Sequence, residues 1–366
     1  MWYTISNSVE IDTPALAVWP ERVRENIRIF KSFVNDVTRL RPHVKTNKSP
    51  EACAMMLAEG ITKFKCATIA EAELLGEAGA PDVLLSYQPT GPKAIRLAQL
   101  LKRFPATRYS CLVDDVQAAV AIAGVMHGHG VSLDVWIDLN IGMNRTGIRP
   151  ADGFSLFNLC LDLEGIRPVG LHAYDGHLRD EDLAVRTRKC DEGFEAVTAL
   201  ATRIQSELGV HPSIVAGGSP TFPIHAKRPS VECSPGTFIY WDTGYASILR
   251  EQPFLFAVAV LTRVISKPAP GVICLDLGHK SIASENPLDR RVTFPEAPDL
   301  IPVGQSEEHL VMRTDTPEKY SVGQLLYGLP YHVCPTVALY DMAWAVRDDV
   351  ATNNWHNTAR RRSISI

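Results

Sequence analysis

The chain has 366 residues, of which 46% are hydrophobic and 21% charged, and its formal net charge is −4. This composition is typical of a globular protein, and the length favours two domains over one hydrophobic core. The negative net charge, with its only basic run at residues 360–362, argues against a nucleic-acid partner. No apolar stretch approaches the roughly 20 residues that cross a bilayer, so we predict no membrane span.

The eight cysteines are scattered and form no CxxC pair. This distribution is typical of reduced thiols rather than of a disulfide framework, which favours a cytoplasmic location. The first ten residues lack the basic start and apolar run of a signal peptide, and we expect none.

Short apolar runs alternate with helical stretches along the first two thirds of the chain, which indicates repeated βα units. Eight strands are predicted, at residues 40–45, 63–68, 82–87, 108–113, 133–138, 168–174, 213–216 and 231–240. Helical patterns lie between them, for example at residues 70–78, 116–123 and 191–208. Eight such units predict a (β/α)8 TIM barrel over residues 13–245.

After residue 245 the pattern becomes β-rich and is interrupted by Pro and Gly. Strands are predicted at residues 256–266, 271–277, 309–314 and 324–326. We therefore predict an α/β fold in which a TIM barrel is followed by a C-terminal β-rich domain. That domain comprises residues 246–366 together with 1–12, which could add a strand.

A lysine ends the first predicted barrel strand, in the run Arg-Pro-His-Val-Lys-Thr-Asn-Lys that closes on Lys48. The active site of such barrels opens at this end of the strands. A lysine that forms an imine must spend time as the neutral amine, and neighbouring cations such as Arg41, His43 and Lys48 favour that form. A surface lysine in a basic loop explains Lys45 equally well.

Three further strand ends carry side chains suited to binding. Gly217, Gly218 and Ser219 follow the seventh strand, where barrels of this type bind phosphate, although a plain tight turn explains them as well. Arg145 follows the fifth strand and could hold an oxyanion. Tyr174 ends the sixth strand, and with His172 and His177 it could stack on a ring or relay protons. Each is individually compatible with a structural role.

The β-rich part contains His332 and Cys334 in the run His-Val-Cys-Pro-Thr. If this run is extended, residues two apart face the same side and present imidazole beside thiolate, a pair that suits zinc. Two protein ligands would leave open coordination positions. A buried cysteine beside a core histidine is the competing explanation.

Together these motifs resemble the D-threonine aldolase and D-serine dehydratase group of fold-type III (alanine racemase-type) pyridoxal-phosphate enzymes. RPHVKTNK is similar to the group's RPHxKTHK motif, with Asn47 in place of a histidine, and implies that Lys45 carries the cofactor as a Schiff base. MNRTG and AYDGH imply contacts of Arg145 and Tyr174 with the cofactor. GGSPTF implies phosphate binding by Gly217, Gly218 and Ser219. HVCPT implies a metal on His332 and Cys334, which with Lys45 form the implied catalytic set.

The resemblance implies a lyase of the cytoplasm that acts on D-β-hydroxy amino acids with pyridoxal 5′-phosphate and a divalent metal, zinc first and Mn²⁺ or Mg²⁺ as alternatives. Retro-aldol cleavage to glycine and an aldehyde is the preferred reaction. Dehydration to a keto acid and ammonia is the alternative, because the pair of His and Cys resembles that of the dehydratases. Racemisation and a non-catalytic cofactor carrier rank lower. The partners implied are a small D-amino acid and a second copy of the chain in a homodimer.

Overall fold

The computed structural model describes residues 1–366, which form two compact units. The barrel unit consists of residues 30–45, 53–236 and 361–366, and the sheet unit of residues 1–29, 46–52 and 237–360. No helix of the chain is long and apolar enough to cross a membrane.

The structure contains sixteen strands and ten α-helices, numbered along the chain. The strands are β1 (Ala15–Val18), β2 (Lys63–Cys66), β3 (Asp82–Leu85), β4 (Arg108–Val113), β5 (Leu133–Leu139), β6 (Ile166–Ala173), β7 (Ser213–Ala216), β8 (Val231–Cys233), β9 (Val258–Ala269), β10 (Val272–Leu275), β11 (Val292–Thr293), β12 (Ile301–Gln305), β13 (Leu310–Arg313), β14 (Leu325–Pro330), β15 (Met342–Arg347) and β16 (Val350–His356). The helices are α1 (Pro20–Ser32), α2 (Pro50–Ala58), α3 (Ile69–Glu77), α4 (Pro92–Arg103), α5 (Val116–Gly128), α6 (Pro150–Leu161), α7 (Leu183–Leu208), α8 (Phe222–His225), α9 (Thr243–Ile248) and α10 (Val333–Val337).

The barrel unit is built on the parallel sheet β2-β3-β4-β5-β6-β7-β8, in which each strand pairs with the next along the chain. Side chains from four of these strands, Leu84, Leu112, Trp136 and Val215, pack together in one buried apolar cluster. Since successive parallel strands all run the same way, the residues that follow them gather at one edge of the sheet.

The first predicted barrel strand is an irregular segment instead. Pro42 has no N–H and cannot complete a regular ladder. The segment still bonds to both outer strands: Arg41 N–H donates to Cys233 O (2.9 Å), and Val44 N–H donates to Lys65 O (2.9 Å). Seven regular strands and this segment therefore close the curled sheet, and the predicted TIM-like fold with a separate β domain is confirmed.

The eighth predicted strand is shorter than expected. β8 ends at Cys233, and a 3₁₀ turn follows at Thr237–Ile239. Pro235 lies between them and cannot donate to a ladder, which explains why the expected strand over residues 231–240 stops early.

The sheet unit contains a mainly antiparallel sheet in the order β12-β13-β10-β9-β1-β15-β16, with β14 pairing β9 and β11. Only β1 and β15 pair in parallel. The prediction of an additional strand within residues 1–12 is wrong. This stretch contains a 3₁₀ turn at Ser8–Glu10, and the first strand begins at Ala15. β1 fits the centre of the sheet because all four of its residues are buried.

Candidate functional site

Lys45 follows the irregular segment at the carboxyl-end edge of the barrel sheet. Its N–H donates to His43 Nδ1 (3.2 Å), and its side chain is half-buried. The positive charge of the nearby Arg41 is compensated, since its guanidinium is ion-paired with Asp82 and Glu232. Lys45 thus lies at the predicted edge of the sheet.

The loop after β5 presents Arg145. Asn140 Oδ1 accepts from the N–H groups of Gly142 and Asn144 (3.1 Å each), and Asn144 takes a left-handed φ of 54°. This side-chain-capped turn leaves Arg145 exposed, with its Cζ 5.0 Å from the centre of the Tyr174 ring. Arg145 and Tyr174, predicted from separate strand ends, are therefore in cation–π contact.

Two glycines make room for Tyr174. A Cβ on Gly218 would lie 2.8 Å from Tyr174 Cε2, and one on Gly176 would lie 2.3 Å from its hydroxyl oxygen. Both distances are far below van der Waals contact, so a larger residue at either position would displace the ring. The second glycine of the GGS run is therefore required by the position of the tyrosine.

The other residues of the GGS run, Gly217 and Ser219, are fixed by close packing and a backbone hydrogen bond. Gly217 has a φ of 80°, and a Cβ there would lie 2.8 Å from His225 Cδ2. Its N–H donates to Ala173 O (3.2 Å), and Ser219 is buried. The loop places Gly218, with its neighbours Gly217 and Ser219, next to Tyr174.

Behind this loop lies a buried group of Asp175, Cys190 and His225, whose ligand-type atoms all lie within 4.8 Å of one another. His225 Nε2 is 2.8 Å from Asp175 Oδ2, and Arg228 donates to His225 Nδ1 (2.5 Å). Asp175 Oδ1 also accepts from Thr221 (2.6 Å). Arginine can only donate, so Nδ1 is an acceptor and Nε2–H faces the carboxylate.

Within this buried group, Asp175 stays ionised without an added cation. Burial raises the pKa of Asp175, but His225 and the Thr221 hydroxyl more than offset it and hold that pKa below its usual value. Burial raises the pKa of Cys190 to about 12 and keeps the thiol protonated. Because the carboxylate oxygens, the imidazole nitrogens and the thiol already have partners and Arg228 adds positive charge, the arrangement is a hydrogen-bonded support for the GGS loop.

A second buried network involves Lys65, which the sequence reasoning missed. Lys65 Nζ lies 2.9 Å from His172 Nε2, and His172 Nδ1 lies 2.6 Å from Asp138 Oδ1. Burial opposes ionisation of Asp138, yet His172 lowers its pKa below the usual value. Burial, followed by Lys65, lowers the pKa of His172. His172 therefore bridges a carboxylate and a lysine, whereas His177 is exposed.

No short motif could reveal that Lys65 network. Its members come from β2, β5 and β6, which are neighbours only after the sheet curls. The sequence feature that could have indicated it is a lysine between Phe64 and Cys66, in a strand expected to be buried.

In the sheet unit, the predicted extended conformation of the His332 segment is wrong. His332 is the N-cap of α10, and Cys334 lies within that short helix. The two side chains are nevertheless hydrogen-bonded to each other. Local helical turn geometry, rather than strand alternation, brings the imidazole and the thiol together.

The pair is held by polar neighbours of the sheet unit. His332 Nδ1 lies 2.5 Å from Glu285 Oε1, and Cys334 Sγ lies 3.1 Å from Thr46 Oγ1. Burial lowers the pKa of His332, but hydrogen bonds and charge from Cys334 and Glu285 raise it to about 9. Since the carboxylate holds Nδ1, Nε2 is the nitrogen left for a metal, as in carboxylate–histidine–metal sites.

Comparison with models of protein families shows which family this chain belongs to. The model described as "Alanine racemase, N-terminal domain" matches residues 18–244, more than half of the chain. The chain belongs to this family. A second model, "Putative serine dehydratase domain", matches residues 257–346.

Individual relatives are lyases. A D-threonine aldolase from Arthrobacter sp. is 29% identical over 360 residues, covering 96% of this chain and 93% of the relative. A D-threo-3-hydroxyaspartate dehydratase from Delftia sp. (strain HT23) is 25% identical and covers 94% and 97%. The crystal structure of D-threonine aldolase from Filomicrobium marinum has a TM-score of 0.87 at 27% identity, covering 96% of each chain.

These matches confirm the predicted family relationship and the prediction of an enzyme of the lyase class. The roles of the individual site residues, the domain boundaries at 13 and 245, and the metal remain predictions.

Proposed function

We propose that this member of the alanine racemase family is a pyridoxal-phosphate- and metal-dependent lyase that cleaves D-β-hydroxy amino acids by a D-threonine aldolase-type reaction. The observation that carries the proposal is the convergence around Tyr174. Arg145 and Lys65 lie over its ring, Gly218 lies against it, and Lys45 lies at the same sheet edge. The D-threonine aldolase relatives support the same reaction class.

The residues present fit the cofactor. Gly217 and Gly218 have no side chains to obstruct a phosphate, and Ser219 adds a hydroxyl. Lys45 is the amine that would form the covalent link, Arg145 would bind the ring hydroxyl oxygen, and Tyr174 would contact the ring. When bound, pyridoxal phosphate supplies an electron sink for breaking a bond at the amino-acid Cα.

The residues of the sheet unit fit a divalent metal. An imidazole and a thiolate suit a borderline-soft ion such as zinc, with Mn²⁺ or Mg²⁺ as weaker alternatives. His332 and Cys334 would be the protein ligands, and Glu285 would orient the imidazole ring. Two protein ligands would leave open positions, and a metal there would increase the acidity of a substrate β-hydroxyl.

The two candidate reactions differ in which proton is removed and in which bond of the substrate breaks. If the β-hydroxyl proton leaves, the Cα–Cβ bond breaks and D-threonine yields glycine and acetaldehyde. If Lys45 Nζ removes the Cα proton and hydroxide leaves from Cβ, the released enamine tautomerises to an imine, and water hydrolyses it to a keto acid and ammonia. The pair of His332 and Cys334 and the Delftia relative favour keeping dehydration as the second candidate.

The test is to incubate the purified protein, with pyridoxal phosphate and Zn²⁺ or Mn²⁺, separately with D-threonine and D-serine. Glycine and acetaldehyde from D-threonine support the aldolase. Keto acid and ammonia replace it with the dehydratase, and interconversion of D- and L-isomers replaces both with a racemase. Binding of pyridoxal phosphate without any turnover of bulkier D-β-hydroxy acids contradicts the proposal. Sedimentation of the same sample tests the expected homodimer.

A further inference from the structure

Lys65 is a lysine held inside the barrel unit. It lies in β2, only 2% of its surface is exposed, and its Nζ is 2.9 Å from both His172 Nε2 and Ser234 Oγ. Lysine is almost never fully buried unless it is paired. No carboxylate contacts Lys65 directly, so its burial requires another explanation.

The hydrogen bonds of Lys65 are incomplete for an ammonium group. Asp138 takes the Nδ1 hydrogen of His172, so Nε2 accepts from Lys65. Ser234 donates its hydroxyl hydrogen to Gly217 O (2.9 Å), so its oxygen also accepts from Lys65. An ammonium has three N–H groups, and the surrounding side chains provide acceptors for two of them. In the charged form the third N–H is therefore a buried donor without an acceptor, which is costly unless a group from outside accepts it.

The surroundings favour an anion. Lys45 and Arg145 act electrostatically on Lys65, and Lys65 Nζ lies 5.4 Å from the centre of the same Tyr174 ring that Arg145 covers. Burial, followed by Lys45, lowers the pKa of Lys65 to about 7, against the opposing charge of Asp138. An anion bound there would balance the cations and hold the proton on Lys65.

We propose that Lys65 is a further ligand-binding residue of this site, whose third N–H donates to an anionic oxygen of the bound cofactor or of the amino-acid substrate. The inference rests on the proposed function, because it takes pyridoxal phosphate and a D-β-hydroxy amino acid as the ligands. Through His172 and Ser234, Lys65 also connects Asp138 to the GGS loop, so the bound oxygen would be fixed relative to that loop.

The experiment compares Lys65→Met and Lys65→Gln with the matched control Lys63→Met. Lys63 lies in the same strand, two residues earlier, and pairs with Glu232 away from Tyr174. Lys65→Gln retains an N–H donor for His172, so it serves if the methionine variant fails to fold. For each protein, the dissociation constant of pyridoxal phosphate is measured by its absorbance without substrate, and KM and kcat for D-threonine are measured with the cofactor saturating.

If the oxygen belongs to the cofactor, we expect the dissociation constant to rise at least about tenfold in both Lys65 variants, with a changed pH dependence of the cofactor absorbance. If it belongs to the substrate, the cofactor affinity stays unchanged and KM rises by a similar factor, with a smaller change in kcat. Lys63→Met should alter neither.

The inference is overturned if either folded Lys65 variant binds cofactor and turns over substrate as the wild type does, or if only the unfolding temperature changes. Wild-type protein that neither binds pyridoxal phosphate nor turns over a D-β-hydroxy amino acid would instead contradict the proposed function and remove the basis for this role.

Discussion

Two histidine–carboxylate pairs in this molecule look alike in composition and differ in surroundings. In the barrel unit, His225 and Asp175 are 0% and 2% exposed. In the sheet unit, His332 and Glu285 are 44% and 48% exposed. Each pair has a cysteine beside it, Cys190 in the first case and Cys334 in the second.

The difference shows why proximity of metal-binding residue types is insufficient evidence for a metal. The donors around His225 are used by one another, by Thr221 and by Arg228, so a cation would have to break existing bonds. At the other site, a metal shared by His332 and Cys334 would replace the hydrogen bond between these two side chains. Glu285 would keep Nδ1 oriented, and the imidazole ring is 44% exposed to incoming ions. We therefore assign structural support to the buried pair and propose the metal at the accessible pair.

The largest expected effect tests the barrel unit alone. Lys45→Ala should reduce turnover about a thousandfold or more, because it removes both the covalent link and a base, while leaving the metal content unchanged. The measurements are turnover of D-threonine, borohydride trapping of the cofactor followed by peptide mapping, and metal analysis. Trapping of the cofactor on another lysine of the wild type would contradict the role of Lys45.

The second prediction separates the two pairs directly. Cys334→Ala should lose the bound metal and at least about a hundredfold in turnover, with the cofactor absorbance retained, since the ion would keep one protein ligand. Cys190→Ala is the matched control and should retain the metal. Metal analysis after dialysis decides the question. Metal lost from the Cys190 variant and kept by the Cys334 variant would reverse our assignment.

The third prediction concerns stability. Asp175→Asn should lower the free energy of unfolding by about 3 kcal/mol, because it breaks a buried charged network. The pKa of Asp175 is lowered in the folded state, so its contribution is present above the ordinary carboxyl range and is lost as the pH falls through the lowered value. Urea unfolding at several pH values should show the difference between wild type and variant shrinking toward acid pH. Glu285→Gln is the comparison and should cost less than about 1 kcal/mol.

The smallest effect is a difference in thiol reactivity. Seven cysteines are buried, and Cys334 is intermediate. Burial also raises the pKa values of Cys160 and Cys190, to about 11 and about 12. A thiol reagent should therefore label Cys334 first in the native protein, and added Zn²⁺ should slow the labelling. Rapid labelling of a second cysteine, identified by mass spectrometry, would contradict the predicted contrast.

Local patterns were sufficient for much of the barrel unit. β4 and β7 occupy the predicted residues, and Arg145 and Tyr174 follow β5 and β6. The reason is that each strand is buried on both faces and is bounded by polar or small residues, so its extent is encoded in its own few residues. Strand order then follows from the repeated βα connection, which places successive strands side by side.

Conformation at prolines was less predictable. Pro42 and Pro235 interrupt two predicted strands, although both segments still join the sheet through neighbouring hydrogen bonds. The His332 segment forms a helix N-terminus instead of a strand, in a place where five residues carry no periodic signal strong enough to decide.

By itself, the sequence determined the α/β class, the lyase family and the strand-end residues Lys45, Arg145, Tyr174 and Gly218, because these depend on short patterns. Only the tertiary structure decided which charges meet. Lys65 pairs with His172, more than a hundred residues away, because curling of the sheet places β2 opposite β6. The same closure pairs Arg41 with two carboxylates, Asp82 and Glu232, which come from distant strands. Burial and partner choice are properties of the closed sheet, so no local motif contains them.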